Sequence, residues 1–263
     1  MSTDPIKARL DFALAAAREA GDSTLQYFQR DDLQVEIKHD ASPVTVADRN
    51  AEQLLRRKIA ESFPGDAIIG EEFGETSGTS GYRWILDPID GTKSFVSGVP
   101  LYGTLIGVEV DGRSLIGVIM IPALKECVYA AQGRGAWYMK HNEPARPARV
   151  SRCERLADAL LCTSDPLTYR KVARNEAYDR LQSGVRLSRT WGDCYGYLLV
   201  ATGRADVMVD PQMSVWDAAA LQPILEEAGG TFTDWRGVPT IHSGEGIATN
   251  GKLLAEVLAR LQS

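Results

Sequence analysis

The sequence carries only four cysteines in 263 residues, at Cys127, Cys153, Cys162 and Cys194. None is spaced as CxxC, which excludes a zinc-type cluster and a disulfide-stapled scaffold. They read as reduced thiols of a cytoplasmic protein, most of them packing residues. Histidine is scarcer still: His39, His141 and His242 are scattered, form no HExxH pair and read as surface residues. Long apolar runs are missing, so nothing approaches the roughly 18 residues that span a bilayer, and no membrane partner is expected. The opening Met1-Ser2-Thr3-Asp4-Pro5 lacks the basic-then-apolar order of a secretory leader. Basic residues are in deficit, 29 against 35 acidic, for a net charge of −6. Bulk electrostatics therefore argues against a nucleic-acid partner. There is no phosphate loop ending in Gly-Lys-Ser or Gly-Lys-Thr. Gly133-Arg134-Gly135 and Gly244-Glu245-Gly246 each lack the third glycine of a dinucleotide loop, at Tyr138 and Thr249. The DxD of aspartyl-nucleophile phosphatases is replaced by DxxD.

What is present suits a globular chain: 44% apolar and 24% charged residues, with roughly 70–75% of the open chain's surface available for burial. No repeat or clean linker divides it. Asp4-Pro5 predicts a helix start, followed by Leu10, Leu14, Ala17, Leu25 and Phe28 at helical spacing. A second helix is expected from about Asp48 to Phe63, burying Leu54, Leu55 and Ile59. Short strands are expected at Ala67–Ile69 and Trp84–Leu86. Leu105 to Ile121 reads as two strands around an Asp111-Gly112 turn, and Val128–Ala130 as another. Asn142 to Ala148 reads as a crossover between lobes of about 1–145 and 146–263. Beyond it come a strand at Leu160-Leu161, a helix Tyr195–Thr202, a strand Asp206–Val209, a helix Asp217–Ala228 closed by Gly229-Gly230, and a helix Lys252–Leu261. Hairpins first and alternation later indicate a layered α/β arrangement.

Four acidic groups stand out: Asp48 in SPVTVAD, Glu71 and Glu72 in GEE, Asp87 and Asp90 in DPIDGT, and Asp217 in VWDAAA. Carboxylates at strand ends sit where loops build sites. Asp48 and Asp217 also read as ordinary helix caps; two acids straight after a core strand are harder to dismiss. Converging carboxylates repel unless a cation joins them. An oxygen-rich set with little Cys or His suits hard ions, chiefly Mg²⁺ or Mn²⁺. Such ions would let an acidic protein hold a small phosphorylated substrate. Gly91 allows a close turn, and a helix opening near Thr92 would aim amides at a phosphate.

Lys38 with SPVTVAD, GEE at Gly70–Glu72, WILDPIDGTKSF at Trp84–Phe95, VWDAAA at Val215–Ala220 and EEAGG at Glu226–Gly230 stand in one order. Together they resemble the inositol monophosphatase-like family of metal-dependent phosphatases over nearly the whole chain. The resemblance implies a layered α/β/α/β/α sandwich, a homodimer and two or three Mg²⁺ ions. It implies Glu71, Asp87 and the Ile89 carbonyl as ligands of one ion, and Asp87, Asp90 and Asp217 as ligands of another. A third, looser ion would share Glu71. Asp48 and Thr92 would orient and activate the attacking water, and the Gly91 and Thr92 amides would cradle phosphate.

WGDCYGY at Trp191–Tyr197, followed by LLVATGRADVMVDP, looks like the histidinol-phosphate phosphatase branch of that family. Histidinol phosphate carries an ammonium group and an imidazole. Asp193 and Asp210 are candidate partners for the cation, and Trp191, Tyr195 or Tyr197 for the ring. Asp193 also reads as a helix cap. An inositol-1-phosphatase, a broader sugar or nucleotide phosphatase and a non-catalytic binding protein are the competing expectations.

Overall fold

The structure, a computed structural model, describes residues 4–38, 42–141 and 143–262. His39, Asn142 and the opening Met1-Ser2-Thr3 lie outside the described residues. Among these residues the chain forms an eight-stranded and a five-stranded sheet, with a small two-stranded ribbon, Val35–Ile37 against Pro43–Thr45. The larger sheet runs, edge to edge, Arg146–Pro147, Ala136–Lys140, Glu126–Ala131, Arg113–Ile121, Gly103–Val110, Tyr82–Asp90, Ala67–Gly70, Gly74–Thr76. The smaller runs Leu187–Arg189, Leu160–Cys162, Val207–Asp210, Gly246–Thr249, Thr231–Thr233.

Five layers result. Helices α1 (Pro5–Thr24) and α2 (Val46–Ser62) cover the outer face of the larger sheet, where Leu10, Ala13, Ala17 and Leu55 meet Trp84, Ile106 and Val118. Helix α3 (Thr92–Val96) follows the bulged strand Tyr82–Asp90. On the far face of the smaller sheet lie α4 (Pro166–Lys171), α5 (Asn175–Ser183) and a C-terminal helix. Between the sheets sit α6 (Asp193–Ala201), α7 (Val215–Ala218) and α8 (Leu221–Glu227); α9 (Leu254–Gln262) is that C-terminal helix. The central layer forms one apolar core with both sheets, from Ile85 and Ile119 on one side to Met208 and Ala248 on the other. The layered sandwich expected from the sequence is the one observed. No helix among the described residues is long and apolar enough to cross a membrane.

The first helix begins as read, with Asp4 accepting from the amides of Ile6 and Lys7 at 3.1 Å. It ends at Thr24, earlier than the apolar spacing suggests. Phe28 leaves the helix to pack on Phe95 and Tyr102, with ring centroids 5.7 and 5.1 Å away. The expected helix Asp217–Ala228 is split in two. Pro223 has no N–H to offer the Ala219 carbonyl, which instead accepts from the Ser114 hydroxyl of the sheet at 2.6 Å. Helices α4 and α5 went unread, although Asp165-Pro166 repeats the Asp4-Pro5 signature and Asp165 caps Leu167 at 2.9 Å.

The central layer can approach the sheet because Gly107 and Gly117 face it. A Cβ at Gly117 would lie 2.0 Å from the Ala220 carbonyl oxygen. Gly117→Ala is therefore expected to cost about 3 kcal/mol through overpacking. A urea midpoint equal to wild type would contradict this close approach.

Candidate active site

The strand Tyr82–Asp90 is the organising element. In a regular strand, residues three apart face opposite sides. Here the pairing with Gly103–Val110 shifts: Asp87 opposes Leu105 while Asp90 opposes Gly103. The extra residue is a bulge at Pro88-Ile89, which brings both acids to one side. It is held by Thr104 donating to the Pro88 carbonyl at 2.9 Å and by the Ile89 amide donating to Asp87 Oδ1 at 3.1 Å. Asp217 arrives from α7, where a capping box has the Ser214 amide donating to one of its oxygens at 2.6 Å. Carboxylate oxygens of Asp87, Asp90 and Asp217 lie within 4.8 Å of one another.

The electrostatics of this cluster is strained. Burial raises the Asp87 carboxyl well above the usual range, and Glu71, Asp90 and Asp217 push it further. Asp90 is raised by burial, then by Asp193 and Asp217. Burial pushes Asp217 up to about 7. Glu71, on the turn after Ala67–Gly70, is raised by burial, against the pull of Lys38, whose Nζ sits 2.8 Å from Glu71 and 2.6 Å from Glu72. The donor set is all oxygen, converging and short of positive charge, so it fits a hard divalent ion. The Ile89 carbonyl, on the same bulge, accepts from Thr92 Oγ1 at 3.0 Å, which leaves it a second lone pair.

Asp48 is completely buried at the start of α2. Its Oδ2 accepts from the Thr45 amide at 2.8 Å and hydroxyl at 2.6 Å. Its Oδ1 faces Thr92 Oγ1 at 3.4 Å. Burial raises its pKa and makes it a better base. Both Asp48 and Asp217 occupy the third helical position of capping boxes, so the cap reading is observed and does not exclude a site role. Gly91, at φ 82°, supplies the left-handed turn before Thr92.

A cleft of about 780 Å³ opens in front, lined among others by Asp90, Asp217, Lys93, Asp193 and Asp210. Asp193 is the first residue of α6, with Gly192 at the cap, so it is not the cap itself. Its carboxyl is pushed up to about 6 by burial and next by Asp210. Asp210 accepts from the Ser164 amide and the Tyr197 hydroxyl, both at 3.0 Å. Ser164 Oγ in turn accepts from the Asp193 amide at 2.9 Å. Ser164 was missed from the sequence. It follows the strand Leu160–Cys162, and the strand-end logic applied to Asp87 would have found it. Of Trp191, Tyr195 or Tyr197, the candidates for the ring, Tyr197 lines the cleft. Tyr197 is buried and spends its hydroxyl on Asp210, Tyr195 lies beside Arg204 at 5.9 Å, and Trp191 is exposed. Of the described histidines, His141 is exposed and His242 pairs with Glu109 at 2.9 Å.

The layered sandwich, with carboxylates converging on a bulged central strand, is that of a phosphatase family. The chain belongs to the inositol monophosphatase family, whose sequence profile matches residues 7–263. It is 47% identical to a histidinol-phosphatase of Chlorobaculum parvum over 240 residues, 91% of each chain. It is 42% identical to a histidinol-phosphatase of Mycobacterium tuberculosis, covering 97% of this chain and 98% of that one. Among solved structures, the extragenic suppressor protein suhB from Bartonella henselae superposes with a TM-score of 0.89 at 30% identity, covering 97% of this chain and 99% of that one.

Proposed function

We propose that this phosphatase hydrolyses L-histidinol phosphate to L-histidinol and phosphate, using Mg²⁺. The observation that carries the substrate is the pair Asp193 and Asp210. These acids face the cleft beyond the converging cluster, and Asp210 adds to the burial that raises the Asp193 carboxyl. An amino alcohol phosphate brings a cation as its ammonium group; inositol phosphate brings only hydroxyls. The two histidinol-phosphatase relatives support the same choice.

Glu71, Asp87, the Ile89 carbonyl, Asp90 and Asp217 would hold two or three Mg²⁺, with Mn²⁺ as a substitute. When bound, such ions neutralise phosphate oxygens and acidify water. Thr92 Oγ1 lies 3.0 Å from the Ile89 carbonyl and 3.4 Å from Asp48 Oδ1, so its hydroxyl proton can turn from the first to the second. Its freed lone pair then accepts from the attacking water and fixes it in line with the leaving oxygen. As the water attacks phosphorus, its proton passes to Thr92 Oγ1 and the Thr92 hydroxyl proton to Asp48 Oδ1; the P–O bond to the histidinol oxygen breaks, and that oxygen takes a proton from solvent. The Gly91 and Thr92 amides hold the phosphate, and Asp193 and Asp210 orient the ammonium. The proposed enzyme acts in the cytoplasm as a homodimer, which light scattering at about twice 28.7 kDa would support.

The test is phosphate release from L-histidinol phosphate, inositol 1-phosphate, fructose 1,6-bisphosphate and 3′-phosphoadenosine 5′-phosphate, each with Mg²⁺ and with chelator. The highest kcat/KM is expected on L-histidinol phosphate. A preference for inositol 1-phosphate rejects the substrate. No turnover on any of them favours a binding protein. Asp193→Asn is expected to lower kcat/KM on L-histidinol phosphate by about tenfold or more, as loss of a charged hydrogen bond does. An equal fall on an uncharged ester would remove Asp193 from the cation's site.

A further inference from the structure

Glu52 sits on α2 one turn after Asp48 and is completely buried (0% exposed). A buried carboxylate is costly unless its oxygens are fully engaged. Those of Glu52 are. Oε2 accepts from the Glu72 amide at 2.8 Å; Oε1 accepts from the Phe73 amide at 3.2 Å and from Arg56 Nε at 2.7 Å. Arg56 also donates to the Gly74 carbonyl and to Thr76 Oγ1, tying the same hairpin from its far strand.

Residues 71–73 form the turn between Ala67–Gly70 and Gly74–Thr76. Glu71 donates its own amide to the Leu86 carbonyl at 3.2 Å. The three consecutive amides of the turn are thus all assigned, one to the central strand and two to Glu52. Glu71 lies beside these anchors, its carboxylate 2.8 Å from Lys38 Nζ and close enough to Asp87 to raise that group's pKa. Gly70 completes the seat. A Cβ there would fall 2.1 Å from Glu52 Oε1 and 2.8 Å from Oε2, so the carboxylate reaches the turn only because residue 70 has no side chain.

We infer that Glu52 is a positioning residue for the ion site. Its buried carboxylate clamps the Glu72 and Phe73 amides and so fixes the angle at which Glu71 enters the acidic cluster. This rests on the proposed role of Glu71 as an ion ligand. A turn at a sheet edge can be closed by apolar packing; a buried charge, braced by arginine and seated on glycine, fixes it to a single geometry. Partners that orient a metal ligand typically govern affinity by about 10–100-fold.

The test is Mn²⁺ binding to the substrate-free protein, followed by the electron paramagnetic resonance signal of free Mn²⁺. Glu52→Gln keeps the shape but sets an NH₂ group against one amide. Its Mn²⁺ Kd is expected to rise about tenfold or more, while kcat at saturating metal stays within about threefold of wild type. Arg56→Met, which removes the brace, should raise Kd in the same direction. Arg9→Met is the stability control. It breaks the pair with Asp66, 2.7 Å away at the opposite end of the strand Ala67–Gly70, and should leave Kd unchanged. A Glu52→Gln Kd within twofold of wild type would make Glu52 a structural staple only and overturn the inference. Should that variant be insoluble, an unchanged Kd in Arg56→Met overturns it equally. Wild-type protein that binds no Mn²⁺ would remove the ion site and the inference together; wild-type binding with an unaffected Glu52→Gln removes the inference alone.

Discussion

Asp87→Asn lowers kcat by on the order of 10³-fold at saturating Mg²⁺ and, in chelator, raises the melting temperature. Both effects have one origin. Asp87 is buried, and its carboxylate faces Glu71, Asp90 and Asp217. Asparagine preserves the shape and can still accept from the Ile89 amide, so the bulge survives. It removes one charge from a set that repels itself. Without a cation this relieves strain, because an uncompensated buried charge costs several kcal/mol. With a cation, the same change strips away the carboxylate proposed to bridge two ions. Each 1.4 kcal/mol added to the barrier is a factor of ten, so a barrier about 4 kcal/mol higher gives the stated fall. Single-turnover phosphate release and thermal unfolding in chelator check the two halves. Wild-type turnover would refute the catalytic half, and a lowered melting temperature the electrostatic half.

Chelation is the second large effect. Activity is expected to vanish, and the stability of the metal-free protein to fall as pH rises from about 4 to about 7. The sign follows from the raised carboxyls. Asp217 moves from 3.8 to about 7 and Asp193 from 3.8 to about 6. Between those limits the folded chain holds protons that the unfolded chain has released. Stability is therefore full below the unfolded value and is lost as pH passes the folded values. Mg²⁺ replaces the protons, so its stabilisation should grow over the same interval, reaching about 2.7 kcal/mol at a hundredfold excess over Kd. Urea unfolding at pH 5 and pH 8, with Mg²⁺ and with chelator, makes the comparison. Metal-free protein that is more stable at pH 8 than at pH 5 would reverse the predicted slope.

Asp87 and Asp90 are legible in the sequence because two acids directly follow a core strand. Their convergence is not, since spacing alone would place residues three apart on opposite faces. Only the bulge at Pro88-Ile89 resolves this. Asp48 and Asp217 left a choice between cap and site; both serve helix termini, while Asp217 also joins the carboxylate cluster and Asp48 faces Thr92. Which of the aromatic residues faces the cleft was not legible, for a physical reason. Helix α6 is wedged between two sheets and apolar all round, so periodicity assigns no face to Tyr195 or Tyr197. Glu52 was silent for the opposite reason. On an exposed helix it would pair with Arg56 four residues on like any surface couple; its meaning comes from Gly70, which the chain brings against it from a separate strand. The strands Thr231–Thr233 and Gly246–Thr249 were too short to show a period.

The most direct measurement is a crystal grown with Mn²⁺ and examined by anomalous scattering. The account predicts peaks between the carboxylates of Asp87, Asp90 and Asp217, with Glu71 and the Ile89 carbonyl as further ligands. Well-ordered side chains at these positions with no anomalous peak among them would contradict it.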